Sequence, residues 1–265
     1  MSIVKKIDHL NLDQIAASGQ CFRWKKTDSD TYVIPELRRG NALTSPLTIR
    51  NVGDEFELSC SEEDWNSQWY YYFDMDTDYE DVERRIMESS DDHARQAFCE
   101  GSGIRILKQD LWEMIVTFII SQNNNIKRIT NSVEEIVLRN GGHFPYPGET
   151  DPLMFMDKTL GLGYRSPYLR DLFIYASEHP GWLSSLPALS YEEAVLSLKE
   201  RTGIGPKVAN CICLFGLHHV EAFPIDTHVK QLLLKYYPDG FDFDYYRGIA
   251  GIIQQYLFYY ELNHK

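Results

Sequence analysis

Between residues 20 and 60, apolar and β-branched residues come in short runs: Cys21-Phe22-Arg23-Trp24, Thr31-Tyr32-Val33-Ile34, Leu47-Thr48-Ile49 and Phe56-Glu57-Leu58. Polar turns carrying Gly or Pro separate them, the pattern of a small antiparallel sheet. From about residue 62 the apolar positions recur at helical spacing, predicting helices near 78–89, 110–121, 125–139, 166–178, 190–201, 206–217, 227–237 and 243–261. The Gly- and Pro-rich stretch 141–152 reads as a loop between helical subdomains. The expected fold class is therefore α+β. A small N-terminal antiparallel β-sheet domain with connecting helices spans 1–110, and a mostly helical domain spans 111–265.

Composition agrees with a packed core, since 43% of the 265 residues are hydrophobic and 13% aromatic, well outside the signature of disordered chains. The opening MSIVKKIDHLNLDQ has no apolar stretch of signal length, and no later segment supplies the ~20 apolar residues of a membrane span. A soluble, cytoplasmic protein without membrane association is expected. The five cysteines, Cys21, Cys60, Cys99, Cys211 and Cys213, contain no CxxC pair, so reduced thiols, no metal and no cofactor are expected.

The formal net charge of −13 argues against holding nucleic acid by bulk electrostatics, because Lys and Arg neutralising phosphate supply most non-specific affinity. The acids concentrate in 54–64, 74–92 and 239–244, however, which leaves a local basic site compatible with the total.

The most specific pattern lies near the C-terminal third. Ser190-Tyr191-Glu192-Glu193 is a capping box that starts a helix running to about Arg201. The next helix begins after Thr202-Gly203-Ile204-Gly205-Pro206-Lys207, where two glycines allow a tight turn and Pro206 suits a first helical position. Such a helix-hairpin-helix presents unpaired amides and a positive dipole end to phosphate, with Gly203 and Gly205 at its centre; a plain helix connector is the alternative. Lys207 falls in the first helical turn, where the dipole disfavours a cation. That suits a nucleophilic amine better than a structural one, although a lone lysine elsewhere would read as a solvated surface residue. Asp226, in Phe223-Pro224-Ile225-Asp226-Thr227-His228, is placed to N-cap the next helix. Capping is a common structural role, and a carboxylate held by backbone donors is also a dependable charge beside a developing sugar cation.

Together these residues resemble the helix-hairpin-helix DNA glycosylases. Ser18-Gly19-Gln20-Cys21-Phe22-Arg23-Trp24, Ser121-Gln122-Asn123-Asn124-Asn125-Ile126-Lys127-Arg128 and Leu160-Gly161-Leu162-Gly163-Tyr164-Arg165 narrow the resemblance to the 8-oxoguanine DNA glycosylase/lyase family. It implies a bifunctional base-excision repair enzyme, acting as a monomer on double-stranded DNA containing 8-oxoguanine opposite cytosine. Lys207 and Asp226 would be the catalytic pair. Asn123 would fill the gap left by the extruded nucleotide and Tyr164 would wedge beside it. Arg128 and Arg165 would read the orphaned cytosine. Gly19, Cys211, Gln254 and Phe258 would line the lesion-base pocket, and His228 would join Gly203 and Gly205 in contacting DNA phosphate. Gln254 and Phe258 are four apart on a predicted helix and so share a face. The chain departs from the family at Gln122, where Ser is usual, and at Cys21.

Two alternatives have distinct signatures. An endonuclease III-like glycosylase for oxidised pyrimidines carries four closely spaced cysteines after the Asp helix, and no cysteine follows Cys213 here. A non-catalytic helix-hairpin-helix DNA-binding module has no need of Lys207 and Asp226.

Overall fold

The strands form where apolar residues alternate. In the computed structural model, which describes residues 2–39 and 42–264, five antiparallel strands lie in the order Ile3–Lys5, Glu55–Leu58, Leu47–Val52, Thr31–Ile34 and Lys25–Lys26. Register puts inward residues opposite one another: Ile34 faces Leu47, Tyr32 faces Ile49, and Ile49 faces Leu58. All five are buried, which fixes the register because a one-residue slip would turn each to solvent. Against this face pack Leu12 and Ile15 of the helix Leu12–Ala17, with Trp65, Trp69 and Phe73.

Contacts divide the chain into two compact units: residues up to Asp110 together with those from Ile225 onward, and Leu111–Pro224. Residues 225–265 thus group with the first unit, not with the helical domain expected over 111–265. Their last helix, Ala250–Asn263, packs along Asp92–Gly101, with Phe98 edge-on to Tyr256 at 5.4 Å and His93 edge-on to Tyr260 at 5.2 Å. That helix is buried at every position from Ala250 to Leu257, as a helix enclosed on all sides must be.

Two other details differ from expectation. Cys21–Trp24 is not a strand; side chains hold it as irregular backbone, with Trp24 Nε1 donating to Tyr72 Oη at 2.8 Å and Arg23 paired with Glu36 at 2.9 Å. The final helix starts at Ala250 rather than 243, since Asp242 caps a turn at Tyr245 N (2.9 Å) and Gly248 takes φ +78°.

In the second unit the buried helix Leu111–Ile120 packs on Pro206–Gly216, with Phe118 stacked on Phe215 at 5.4 Å. Ile126–Arg139, Ser166–Glu178 and Tyr191–Lys199 complete its long helices. Among the described residues no helix is long and apolar enough to cross a membrane.

Candidate active site

The hairpin forms as its residues dictate. Ser190 and Glu193 close the capping box at the start of Tyr191–Lys199. The chain then reverses through Gly203 at φ +88°, where an added Cβ would lie 2.5 Å from Tyr168 Cδ2. Backbone angle and space both demand glycine here. Ile204 is buried and anchors the turn. Gly205 N-caps Pro206–Gly216 without a side-chain bond, so the first amides of that helix have no side-chain cap. Lys207, in its first turn, is half-buried with Nζ 5.5 Å from the Phe118 ring centroid. One turn on, Cys211 is buried; burial pushes the neighbouring Cys213 thiol up to about 12.

The loop after Leu111–Ile120 joins the same unit's other motifs through Gln122. The Gln122 side-chain amide donates to Ile119 O and to Gly203 O, both at 3.0 Å. Its backbone carbonyl accepts from Arg165 Nε at 2.8 Å, from Arg165 Nη2, and from Tyr164 Oη at 3.3 Å. Asn123 follows at φ +45°, a left-handed conformation that asparagine tolerates better than most residues. Its Nδ2 donates to Tyr164 Oη at 3.1 Å. Asn125 then caps Ile126–Arg139 by accepting from Arg128 N at 3.0 Å.

The two arginines expected to read one base sit in different environments. Arg128 is exposed on the first turn of its helix. Arg165 is 5% exposed and spends its guanidinium on the carbonyls of Gln122, Asn123 and Leu162, 4.5 Å from the Tyr164 ring centroid. Tyr164 is 47% exposed and edge-on to Tyr168 at 6.0 Å.

In the other unit, Gly19 takes φ +74° just after the helix Leu12–Ala17. Gln254 and Phe258 lie one turn apart on Ala250–Asn263, Phe258 half-buried and Gln254 buried with no partner for Oε1 among the described residues. Between them Gln255 donates to Ser18 O and ties the Gly19 turn to this helix. Asp226 N-caps Thr227–Tyr236, accepting from Val229 N at 2.8 Å, and His228 stands half-buried in that helix's first turn.

Sequence reasoning treated Gln122 only as a departure and missed Gln255, Phe118 and Tyr168. Gln255 gives no periodic signal beside Gln254, and its partner is 237 positions away.

Residues 2–115 match the family model described as 8-oxoguanine DNA glycosylase, N-terminal domain. The chain is 31% identical to the N-glycosylase/DNA lyase OGG1 of Arabidopsis thaliana, over 87% of this chain and 68% of that protein. With the N-glycosylase/DNA lyase of Saccharomyces cerevisiae it shares 29% identity over 86% of this chain and 68% of that one. Its structure is similar to that of the Clostridium acetobutylicum 8-oxoguanine glycosylase/lyase, solved with double-stranded DNA containing cytosine opposite 8-oxoG. The TM-score is 0.86 at 28% identity, covering 100% of this chain and 98% of that one. The helix-hairpin-helix geometry, the α+β fold and this similarity along most of its length agree: the chain belongs to the 8-oxoguanine DNA glycosylase/lyase family.

Proposed function

We propose that this protein extrudes 8-oxoguanine paired with cytosine from duplex DNA, excises it through Lys207 and cuts the strand by β-elimination. The observation that carries this reading is the half-buried Lys207 on the first turn of a hairpin helix without a side-chain cap, in a chain 31% identical to a protein named N-glycosylase/DNA lyase.

The neutral Lys207 amine attacks C1′ of the flipped nucleotide. The C1′–N9 bond breaks, and the base leaves with the electron pair and takes up a proton. Asp226 stabilises the cationic sugar that develops. Opening of the sugar ring gives a Schiff base between Nζ and C1′. Its iminium draws electrons from C2′, so C2′ loses a proton, the C3′–O bond breaks and the 3′ phosphate departs. Hydrolysis of the imine returns the lysine.

Flipping costs a few kcal/mol, which Asn123 and Tyr164 offset by occupying the gap. Arg128, exposed, donates to the acceptors of the orphaned cytosine, and Arg165 does so in exchange for the loop carbonyls it now holds. In the base pocket the carbonyl of Gly19 accepts from N7–H, which 8-oxoguanine has and guanine lacks. Gln254 bonds the base edge, its buried Oε1, without a partner among the described residues, suiting an N–H donor. Phe258 stacks on the base plane, and Cys211 is assigned to contact the base. The amides around Gly203 and Gly205, with His228, hold phosphate. The enzyme acts as a monomer and needs no cofactor.

The test is incubation with a duplex carrying one 8-oxoguanine opposite cytosine, read as strand cleavage on a denaturing gel. A nick at the lesion supports the reading, and an uncut strand with bound enzyme contradicts it.

A further inference from the structure

Gly19 has no side chain with which to fix its own orientation, so the direction of its carbonyl depends on how the flanking peptides are held. The following residue is held several times over. Gln20 Nε2 donates to Ser18 Oγ and Arg105 O, both at 3.0 Å, and Gln20 Oε1 accepts from Leu107 N at 2.9 Å. Gln109 Nε2 donates to Gln20 O at 2.7 Å. These bonds tie the C-terminal side of the turn to residues 105–109.

The preceding carbonyl, Ser18 O, is held instead by Gln255 Nε2. Gln255 is 2% exposed and Ser18 1% exposed, so the bond is shielded from water and its donor has no solvent substitute. Gln255 follows Gln254 and precedes Phe258 by three residues on the same helix. The element that carries the base-edge amide and the stacking ring therefore also holds the turn that carries the Gly19 carbonyl.

We infer that Gln255 is a specificity-determining positioning residue: by holding Ser18 O on the C-terminal helix, it sets the Gly19 carbonyl relative to Gln254 and Phe258, and so sets the discrimination between 8-oxoguanine and guanine. The inference rests on Gly19 as the acceptor for N7–H. Acceptor-against-acceptor repulsion with guanine N7 falls off with small displacements, so a turn released from the helix can retreat from guanine and lose selectivity while lesion binding weakens less.

The test uses the full chain and the variants Gln255→Met, which keeps volume without a donor, and Gln255→Glu. Three quantities are measured: affinity for an 8-oxoguanine:cytosine duplex, affinity for the matched guanine:cytosine duplex, and nicking of a preformed abasic site, which does not engage a base. Gln255→Met is expected to lower the ratio of the two affinities about tenfold, with abasic-site nicking within about threefold of the parent. Gln255→Glu is expected to be selective while its carboxyl is protonated and can donate to Ser18 O, and to lose selectivity as rising pH ionises it. A selectivity ratio within twofold of the parent in folded Gln255→Met, or one that does not change with pH in folded Gln255→Glu, overturns the inference. So does a parallel loss of selectivity and abasic-site nicking in both, which marks a merely structural side chain. A parent that itself does not distinguish 8-oxoguanine from guanine contradicts the reading of the Gly19 carbonyl instead.

Discussion

The side-chain amide of Gln122 donates to the carbonyl oxygen of Gly203 at 3.0 Å, joining the loop before the asparagine run to the turn of the helix hairpin. The same residue's backbone carbonyl receives Arg165 and Tyr164, so three separate sequence motifs meet at one position. Truncation by Gln122→Ala removes the bonds to Ile119 O and Gly203 O and is expected to cost about 1–3 kcal/mol of stability. Denaturant unfolding measures this directly. Excision should fall further than stability predicts, because Asn123 loses its support.

Gly203→Ala should be more severe than an ordinary glycine replacement. It imposes a side chain at φ +88° and sets Cβ against the Tyr168 ring. A loss of about 2–4 kcal/mol is expected, with a weaker hold on undamaged duplex, and thermal melting together with a binding titration checks both.

The two arginines should separate in their effects. Arg128 is exposed, so Arg128→Ala is expected to leave stability within about 0.5 kcal/mol of the parent while flattening the preference for cytosine opposite the lesion by tenfold or more, a mismatch being worth about 1–3 kcal/mol. Arg165→Ala should also destabilise the fold, because it removes the guanidinium bonds to the carbonyls of Gln122, Asn123 and Leu162. Single-turnover excision opposite each of the four bases distinguishes the two.

Acid sensitivity should trace partly to His93. Its ring is 9% exposed and stacked on Tyr236 at 3.7 Å. Burial depresses its pKa below the ordinary 6.5, Lys235 adds to that, and the opposing pull of Glu261 and Asp91 is outweighed. The unfolded chain therefore takes up this proton first. Stability present above pH 6.5 should decline as the pH falls from there through the lower folded value, at no more than about 1.4 kcal/mol per pH unit for one proton. His93→Phe keeps the stacking and should flatten that part of the profile, as urea unfolding across pH 5–7 would reveal.

Much of this was legible in the chain because the signals are local. Ser190 with Glu193, Asp226 before its helix and Gly203 in the turn each specify backbone geometry within a few residues, and each acts in the structure as its type requires. What was not legible depends on long-range contact. The strand Ile3–Lys5 is three residues long and exists by pairing with Glu55–Leu58. The helix Ala250–Asn263 is buried all round, so periodicity did not mark its start. The burial of Arg165 goes with its bonds to the carbonyls of Gln122 and Asn123, where the chain turns left-handed. Gln255 gives no local signal, because its partner Ser18 is distant in sequence.

Borohydride trapping on an 8-oxoguanine:cytosine duplex tests the proposed covalent bond between Lys207 and DNA. The parent should give a reduced protein–DNA crosslink. Lys207→Gln should give neither crosslink nor excised base while still binding lesion DNA, and Asp226→Asn should slow excision strongly with little loss of binding. Full trapping and strand cleavage by Lys207→Gln would assign the nucleophile to another amine and contradict the account.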